Sequence, residues 1–164
     1  MNRHRIKILI MDVDGTLTDG KVYMGEKGEA MKVFDIKDGY AIYHTLPVNN
    51  IIPVIITGRS SKIVEVRCDE LGIKEVHQGC LDKRDKLVEI AGRLGLTMGK
   101  NGIIEGSAYI GDDILDIPGM EISEVTACPA DAAEKVKDVV TYVCRNKGGE
   151  GAVREFVEWL LWGE

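Results

Sequence analysis

The chain has 164 residues, 45% of them hydrophobic and 29% charged, which is the size and composition of one globular domain, expected to span 1–164. Its net charge of −6 argues against nucleic-acid binding, which needs a basic surface, but it allows binding of a small anion. No apolar run reaches the roughly 20 residues of a membrane span. The four scattered cysteines form no C-x-x-C pair, so we expect a reduced, cytoplasmic protein.

Strand-like and helix-like segments alternate along the chain. Apolar runs typical of buried strands occupy Ile6–Met11, Ile51–Thr57, Ala108–Ile110, Val125–Cys128 and Tyr142–Cys144. Helical patterns lie between them at Tyr40–Leu46, Ser61–Leu71, Lys83–Leu94, Ala132–Val136 and Ala152–Leu161. This order predicts an α/β fold, a Rossmann-like three-layer sandwich with a central parallel sheet. The segment Ile103–Gly106 is not assigned to an element.

One segment, Lys21–Phe34, interrupts the alternation. Its apolar stretches, Val22–Met24 and Met31–Phe34, flank a glycine-rich turn at Gly25–Gly28, which predicts a protruding β-hairpin. The hairpin follows the first strand directly, so we expect it beside the edge of the sheet where ligands bind. An isolated two-stranded ribbon is only marginally stable, so packing against other subunits is a physical reason for it to persist.

Two groups of carboxylates follow predicted strands. Asp12 and Asp14 come directly after the first strand. A second group follows a later strand: Asp112, Asp113 and Asp116. Read singly, the first group suits a turn and the second suits a helix N-terminus. Together they meet at one edge of a parallel sheet, where carboxylates raise each other's pKa and a hard cation such as Mg²⁺ relieves the repulsion. We therefore predict a magnesium site suited to hydrolysis of a phosphate ester.

Four short motifs occur along the chain, and both their residues and their order resemble those of the haloacid dehalogenase superfamily. Its first motif matches Asp12–Leu17, and its second matches Thr57 at the end of a hydrophobic strand. The third motif, a lone lysine, is best matched by Lys83, and the fourth matches Gly111–Asp116. The choice of lysine stays open because two cationic residues follow closely: Arg84 and Lys86.

The resemblance implies a role for each matched residue. Asp12 would be the nucleophile and a metal ligand, and Asp14 the general acid/base that binds the metal through its backbone carbonyl. Asp112 would be the third metal ligand, while Thr57 and Lys83 would contact the phosphoryl group. Two further carboxylates would support the site through water or orientation: Asp113 and Asp116.

The short spacing between the first two motifs leaves room only for the hairpin, so the chain resembles the capless branch of the superfamily. Within that branch it is similar to the 3-deoxy-D-manno-octulosonate 8-phosphate phosphatases. The resemblance implies a homotetramer in which a neighbouring subunit replaces the cap, and the Gly148–Gly151 segment is either a simple entry to the last helix or a lid over a neighbouring site. The implied substrate contacts are Asp14, Asp35, Ile36, Lys37, Asp38, Gly39, Gly58, Arg59, Arg67 and Lys83. Tyr43 departs from the arginine that relatives can have.

The expected activity is hydrolysis of 3-deoxy-D-manno-octulosonate 8-phosphate through an aspartyl-phosphate, a step that feeds lipopolysaccharide synthesis. Recognition split between subunits leaves another sugar-acid phosphate open, such as a nonulosonate 9-phosphate. A different class, a non-catalytic signalling or oligomerisation module, also combines an acidic cluster with a threonine and a lysine. The intact set of motif residues argues against that module.

Overall fold

The computed structural model describes residues 5–163, so Met1–His4 and Glu164, the ends of the predicted domain, lie outside the described residues. Six parallel strands form the central sheet. In spatial order they are β5 (Glu75–His77), β4 (Ile52–Ile56), β1 (Ile8–Met11), β6 (Ile104–Ile110), β7 (Ser123–Cys128) and β8 (Tyr142–Val143). A separate antiparallel hairpin consists of β2 (Tyr23–Gly25) and β3 (Gly28–Met31).

Helices cover both faces of the sheet, as the alternation of segments predicts. They are α1 (Ile36–Tyr40), α2 (Leu46–Val48), α3 (Lys62–Glu70), α4 (Lys83–Arg93), α5 (Ile117–Met120), α6 (Glu134–Lys137) and α7 (Ala152–Trp162). A π-helical turn, Ala41–Thr45, joins α1 to α2. Among the described residues, none of these helices has the length and apolarity that crossing a membrane requires.

The side chains of β1 explain the three layers. Leu9 and Met11 point into a core formed with α3 and α7, whereas Ile8 and Ile10 point into a second core formed with α4 to α6. All four are fully buried, because a strand in mid-sheet has a helical layer on each side. The predicted sandwich is confirmed.

The strand order places a ligand crevice at the end of β1. The chain runs from β1 to β4 and β5 on one side and then returns to β6 on the other side. Such a reversal of direction separates the loops that leave neighbouring strands and opens a cleft beyond their carboxyl ends. Asp12, Thr57 and Gly111, which follow β1, β4 and β6, all leave the sheet at this edge.

The hairpin exists, but its second strand lies three residues earlier than predicted. Gly25 pairs with Gly28, so the turn consists of Glu26 and Lys27 only. Gly28 has φ +111°, a conformation that glycine adopts without strain and that permits this tight turn. The residues from Lys32 onward leave the ribbon, and the Lys32 side chain contacts Asp14.

Two strands and two helices differ from the sequence-based prediction. The edge strand β5 was missed because its sequence, Glu-Val-His, carries almost no apolar signal. The unassigned segment near Ile104 is the start of β6, where an irregular register around Gly106 (φ +81°) interrupts the pattern. The four-residue α5 was missed, and the helix expected at Tyr40–Leu46 begins at Ile36. Helices α3, α4 and α7 are confirmed within one residue at each end.

Candidate active site

The two acidic groups meet at the edge of the sheet, as predicted. Asp12 continues β1 and its backbone N–H donates to the carbonyl of Ile110, the last residue of β6, at 3.1 Å. This pairing brings the loop after β6 beside the loop after β1. Carboxylate oxygens of Asp12, Asp112 and Asp116 consequently lie within 4.8 Å of one another, close enough to share one metal ion.

Of the three candidate cations, Lys83 is the one that lies in this cluster. It is the first residue of α4, where Asp82 caps the helix by accepting from the N–H of Asp85. Its buried ammonium lies 3.0 Å from Asp12 Oδ1 and 2.7 Å from Asp116 Oδ1. The two alternatives point elsewhere, since Arg84 is exposed and Lys86 pairs with Glu89 on the surface.

Asp116 accepts hydrogen bonds with both of its carboxylate oxygens and so holds the parts of the cluster together. Its Oδ1 accepts from Lys83 and, at 2.9 Å, from the hydroxyl of Tyr109. Its Oδ2 accepts the backbone N–H groups of Asp112 and Asp113 at 3.1 and 3.2 Å. Both oxygens are therefore engaged by protein donors, which favours the predicted supporting role over direct metal ligation. Asp113 itself is exposed and contributes its backbone N–H.

The electrostatics of the cluster favour a dication. Burial and the charges of Asp12 and Asp116 raise the pKa of Asp112 to about 7. Burial and Asp116 raise the pKa of Asp12 to about 6, against the opposing effect of Lys83. Burial alone would lower the pKa of Lys83, but Asp116 and Asp12 together raise it. One ammonium thus faces three carboxylates, and a hard cation would offset the remaining charge.

One buried oxygen in the cluster is contacted by an ammonium without a well-directed hydrogen bond. Asp12 Oδ1 lies near the Lys83 ammonium but has no directed hydrogen bond, whereas Asp112 Oδ1 accepts from the hydroxyl of Thr16 at 2.9 Å. A buried carboxylate oxygen without a well-oriented donor is costly unless another group binds it. The residues present therefore fit the predicted Mg²⁺, which Asp12 and Asp112 would hold.

Two glycines permit the close approach of these loops. Gly15 has φ +95°, and a Cβ there would lie 2.1 Å from Asp112 Oδ2. A Cβ on Gly111 would lie 2.3 Å from the carboxyl carbon of Asp116. Any side chain at either position would push the acidic groups apart, so the glycines in both motifs serve the geometry of the cluster.

Thr57 occupies the position that the second motif predicts. It follows β4, is buried, and lies at the same edge as Asp12 because Met11 pairs with Ile55 in the parallel register. Its backbone is held by the carbonyl of His77 at 3.0 Å and by the N–H of Cys80 at 3.0 Å. A Cβ on Gly58, the next residue, would make only ordinary contacts, 3.8 Å from Leu81 and 3.9 Å from the carbonyl oxygen of Cys80.

Asp14 contacts cations that the sequence analysis did not connect with it. Its Oδ1 accepts a hydrogen bond from Lys32 and lies 3.6 Å from an Arg59 nitrogen. Arg59 also donates to Glu29 on the hairpin strand β3 at 3.1 Å. Sequence reasoning missed Lys32 and Glu29 as site residues. The available signal was the lone lysine at position 32, placed between apolar residues that were taken as strand.

The remaining predicted substrate contacts fall into two groups. Near the cleft surface, Asp35 caps α1 and pairs with the exposed Lys37, and Ile36 is 82% exposed. Asp38 instead points inward: it is 1% exposed and accepts the N–H of Arg154 at 2.8 Å, which caps α7. Substrate contact by Asp38 stays a prediction.

Arg67 lies next to α1. A Cβ on Gly39 would lie 2.5 Å from an Arg67 nitrogen, so this glycine makes room for the guanidinium. The guanidinium carbon sits 5.5 Å from the centre of the Phe34 ring, and Arg67 also donates to Glu70. Its Nε is buried without a hydrogen-bond partner. Tyr43, the residue that departs from the family pattern, is 62% exposed on the same face.

The glycine-rich segment before α7 packs onto this chain's own active-site loop. A Cβ on Gly148 would lie 1.9 Å from the carbonyl oxygen of Gly15, and Gly149 donates to the carbonyl of Thr16 at 3.1 Å. Asp131 accepts the N–H of Gly148 at 2.9 Å. The segment therefore braces the loop that carries Asp14. A lid function toward a neighbouring subunit stays a prediction.

Comparisons with known proteins agree with this geometry. No family model matches the chain. A curated protein of Escherichia coli (strain K12), the 3-deoxy-D-manno-octulosonate 8-phosphate phosphatase KdsC, is 42% identical over 156 residues, 95% of this chain and 79% of that protein. The chain belongs to the KdsC phosphatase family. The KdsC of Yersinia pestis is 41% identical over 95% of this chain and 80% of that protein.

Solved structures of KdsC-type phosphatases share the fold and bind metal. The cobalt-bound phosphatase from Haemophilus influenzae superposes with a TM-score of 0.90 at 36% identity, over 98% of this chain and 90% of that chain. The Moraxella catarrhalis phosphatase, solved with a magnesium ion, a phosphate ion and a KDO molecule, gives 0.89 at 36% identity, over 97% and 87%. The predicted superfamily, fold, phosphoric monoester hydrolase class and metal cofactor are therefore confirmed at the level of the family.

Proposed function

We propose that this chain hydrolyses 3-deoxy-D-manno-octulosonate 8-phosphate to the free sugar acid and inorganic phosphate through a phosphoryl group on Asp12. The observation that carries the proposal is the buried Asp12 carboxylate, held between Lys83 and Asp112 with one oxygen lacking a directed donor. The KDO and phosphate in the Moraxella catarrhalis relative support the substrate. Residues of all four motifs lie together at one edge of the sheet, which argues against a non-catalytic module.

The metal supplies charge compensation. Mg²⁺, held by Asp12, Asp112 and the backbone carbonyl of Asp14, would neutralise enough charge for an anionic ester to approach an anionic nucleophile.

The chain's own residues account for the other parts of the reaction. An oxygen of Asp12 forms a bond to phosphorus as the bond from phosphorus to the sugar oxygen breaks, and Asp14 gives its proton to that oxygen. In the second step Asp14 takes a proton from water, which attacks the phosphoryl-Asp12 and releases phosphate. Lys83 and Thr57 would stabilise the transferring phosphoryl oxygens. Lys83 also keeps Asp12 in place, since its ammonium contacts Asp12 and Asp116 together.

Recognition of the sugar acid would use cations near the cleft. Arg59 is 44% exposed at the cleft and could meet the substrate carboxylate, while Lys37 extends from α1. We place the reaction in the cytoplasm, as a step toward lipopolysaccharide precursors; the four free cysteines are consistent with a reducing compartment.

The exposed apolar hairpin supports a homotetramer. Met24 is 68% exposed and Met31 is 53% exposed on opposite strands of the ribbon, and Val22 and Val33 flank them at 47% and 50%. Large apolar side chains on a narrow ribbon are typical of surfaces that pack against another chain. Burial of the hairpins between subunits would also let a neighbour cover the capless cleft.

The assembly is testable by sedimentation. We expect a tetramer for the wild type, and Met24→Glu should shift it toward smaller species because a charge would be buried at the contact. Val139→Glu is the matched control, since Val139 is 51% exposed and follows α6, outside the hairpin strands. A fully active wild-type monomer would contradict the assembly and the neighbour-as-cap idea.

The activity is tested by phosphate release from 3-deoxy-D-manno-octulosonate 8-phosphate, in Mg²⁺ and in chelator. Asp12→Asn should abolish turnover with the fold intact by circular dichroism, whereas Asp138→Asn, at an exposed helix end, should behave as wild type. A nonulosonate 9-phosphate is assayed in parallel. Faster phosphate release from the nonulosonate ester would make that ester the better substrate candidate. Near wild-type turnover by Asp12→Asn would refute the assignment of Asp12 as the nucleophile.

A further inference from the structure

The hairpin strand β3 reaches into the active site through Glu29. This carboxylate accepts a hydrogen bond from the hydroxyl of Ser61 at 2.6 Å on Oε2 and one from Arg59 at 3.1 Å on Oε1. The ammonium of Lys32 lies 2.9 Å from the same Oε1. Glu29 thereby joins the hairpin to the loop after β4, which carries Arg59 and leads to Ser61, the residue before α3.

Glu29 and Asp14 share their two cations. Lys32 contacts both carboxylates, and its side chain is only 1% exposed. Arg59 spans the same pair, at 3.6 Å from Asp14 and 3.1 Å from Glu29. We call Asp14, Glu29, Lys32 and Arg59 the hairpin charge cluster. Lys32 and Arg59 thus connect the side chain of Asp14 to the hairpin carboxylate Glu29.

This connection depends on an ionised Glu29. Burial alone would raise the pKa of Glu29, but the hydroxyl of Ser61 and the charges of Lys32 and Arg59 lower it overall. Without that negative charge, two cations would converge on the one remaining carboxylate of Asp14. Lys32 would lose half of its charge partners in a buried position, which is unfavourable. We would then expect the side chains of Lys32, Arg59 and Asp14 to change conformation.

We propose that Glu29 is a positioning residue for Asp14: by holding Lys32 and Arg59, it fixes the orientation in which the Asp14 carboxyl reaches the leaving-group oxygen. This inference deepens the proposed function and rests on the general-acid role given there to Asp14. Among the described residues, the ion pairs of Lys32 are with Asp14 and Glu29, not with Asp12 or Asp112. Their effect passes through Asp14, whose side chain Lys32 contacts directly.

The proposal has a chemical signature. When the ester bond breaks, the proton of Asp14 moves to the leaving oxygen while Asp12 takes over the phosphoryl group. A leaving group that is stable as an anion needs this proton little, and a basic one needs it strongly. A misplaced Asp14 therefore slows a poor leaving group more than a good one, whereas a general loss of folding slows both alike.

Two aryl esters of similar size provide the test. We compare kcat/KM for phenyl phosphate, the poorer leaving group, with p-nitrophenyl phosphate in Glu29→Gln and in Glu26→Gln. Glu26 is the matched control because it lies in the exposed turn of the same hairpin. We expect Glu29→Gln to lower kcat/KM for phenyl phosphate about 10- to 100-fold and for p-nitrophenyl phosphate less than about 3-fold. Glu26→Gln should match the wild type on both.

Other outcomes separate this inference from the proposed function. Equal losses on both esters, or none, would overturn the positioning role while leaving the phosphatase standing. A wild type that releases no phosphate in Mg²⁺ from either ester or from the octulosonate ester would overturn the proposed function. If Glu29→Gln does not fold, Ser61→Ala removes a single donor to Glu29. We then expect a smaller, about 3-fold, loss confined to phenyl phosphate.

Discussion

Two aspartates make the stability of the metal-free protein depend on pH. The pKa of Asp112 is raised to about 7 and that of Asp12 to about 6, from 3.8 for an unperturbed aspartate. Because the folded pKa values are raised, these groups favour the folded state fully below about pH 4, and that contribution is lost as the pH rises through the folded values. We therefore expect the chelated protein to become less stable between about pH 5 and pH 8.

The size of the loss follows from the shifts. One pKa unit corresponds to about 1.4 kcal/mol. The folded pKa of Asp112, about 7, lies about two units above pH 5, so the contribution that Asp112 loses above pH 5 is roughly 3 kcal/mol. Asp12 repels the same charges, so its contribution overlaps with that of Asp112 and adds roughly 1 kcal/mol at most. We expect these two aspartates together to lower the free energy of unfolding by about 3 to 4 kcal/mol over this range.

Denaturant unfolding in chelator and in excess Mg²⁺, at several pH values, measures this loss. Mg²⁺ should remove most of it, because a bound dication stabilises the ionised carboxylates. Asp38, whose pKa burial raises to about 6, should leave a residual decline that the metal does not reverse. Asp112→Asn is the discriminating variant: it should be more stable than wild type in chelator near pH 8 and should respond less to Mg²⁺. A chelated wild type equally stable at both ends of the range, or an Asp112→Asn variant with the wild-type slope, would refute the reasoning.

Three further predictions follow from single residues. Lys83→Met should abolish turnover and destabilise the metal-free protein at neutral pH by about 3 kcal/mol, because it leaves buried carboxylates unpaired. The surface variant Lys86→Met is the control, and it should change the free energy of unfolding by less than about 1 kcal/mol in chemical denaturation. Gly148→Ala should destabilise the protein by more than about 2 kcal/mol and lower its activity, since the new Cβ would lie 1.9 Å from the Gly15 carbonyl oxygen. Gly92→Ala is the control: a Cβ there has open space in α4, so this variant should stabilise the protein by up to about 1 kcal/mol. Arg59→Gln should raise KM for the sugar-acid phosphate about 10-fold, and an unchanged KM would remove Arg59 from recognition.

Much of the catalytic cluster could be predicted because it depends on strand ends. Asp12 and Asp112 follow apolar strands, and the carboxyl ends of parallel strands must share an edge, so their meeting needed no side-chain detail. The choice of Lys83 over its neighbours could not be made this way. It depends on the direction in which the first turn of α4 faces, which the packing of that helix sets.

The contacts from the hairpin were beyond sequence reasoning for a different reason. A shift of three residues in the second strand changes which side chains leave the ribbon, and the two-residue turn Glu26–Lys27, which Gly28 follows, decides that shift. Only then does Lys32 contact both Asp14 and Glu29. Similarly, nothing in the sequence near Asp38 indicates that its carboxylate caps a helix more than a hundred residues later.

The sequence by itself therefore determined the class of fold, the edge of the sheet that carries the chemistry and the identity of the acidic residues there, because apolar periodicity and strand direction are local properties. The tertiary structure alone decided which cations pair with those acids and how the hairpin and the Gly148 segment brace the loop of Asp14. Those pairings join residues far apart in the chain through distances of a few ångströms, and only the packing of whole elements sets such distances.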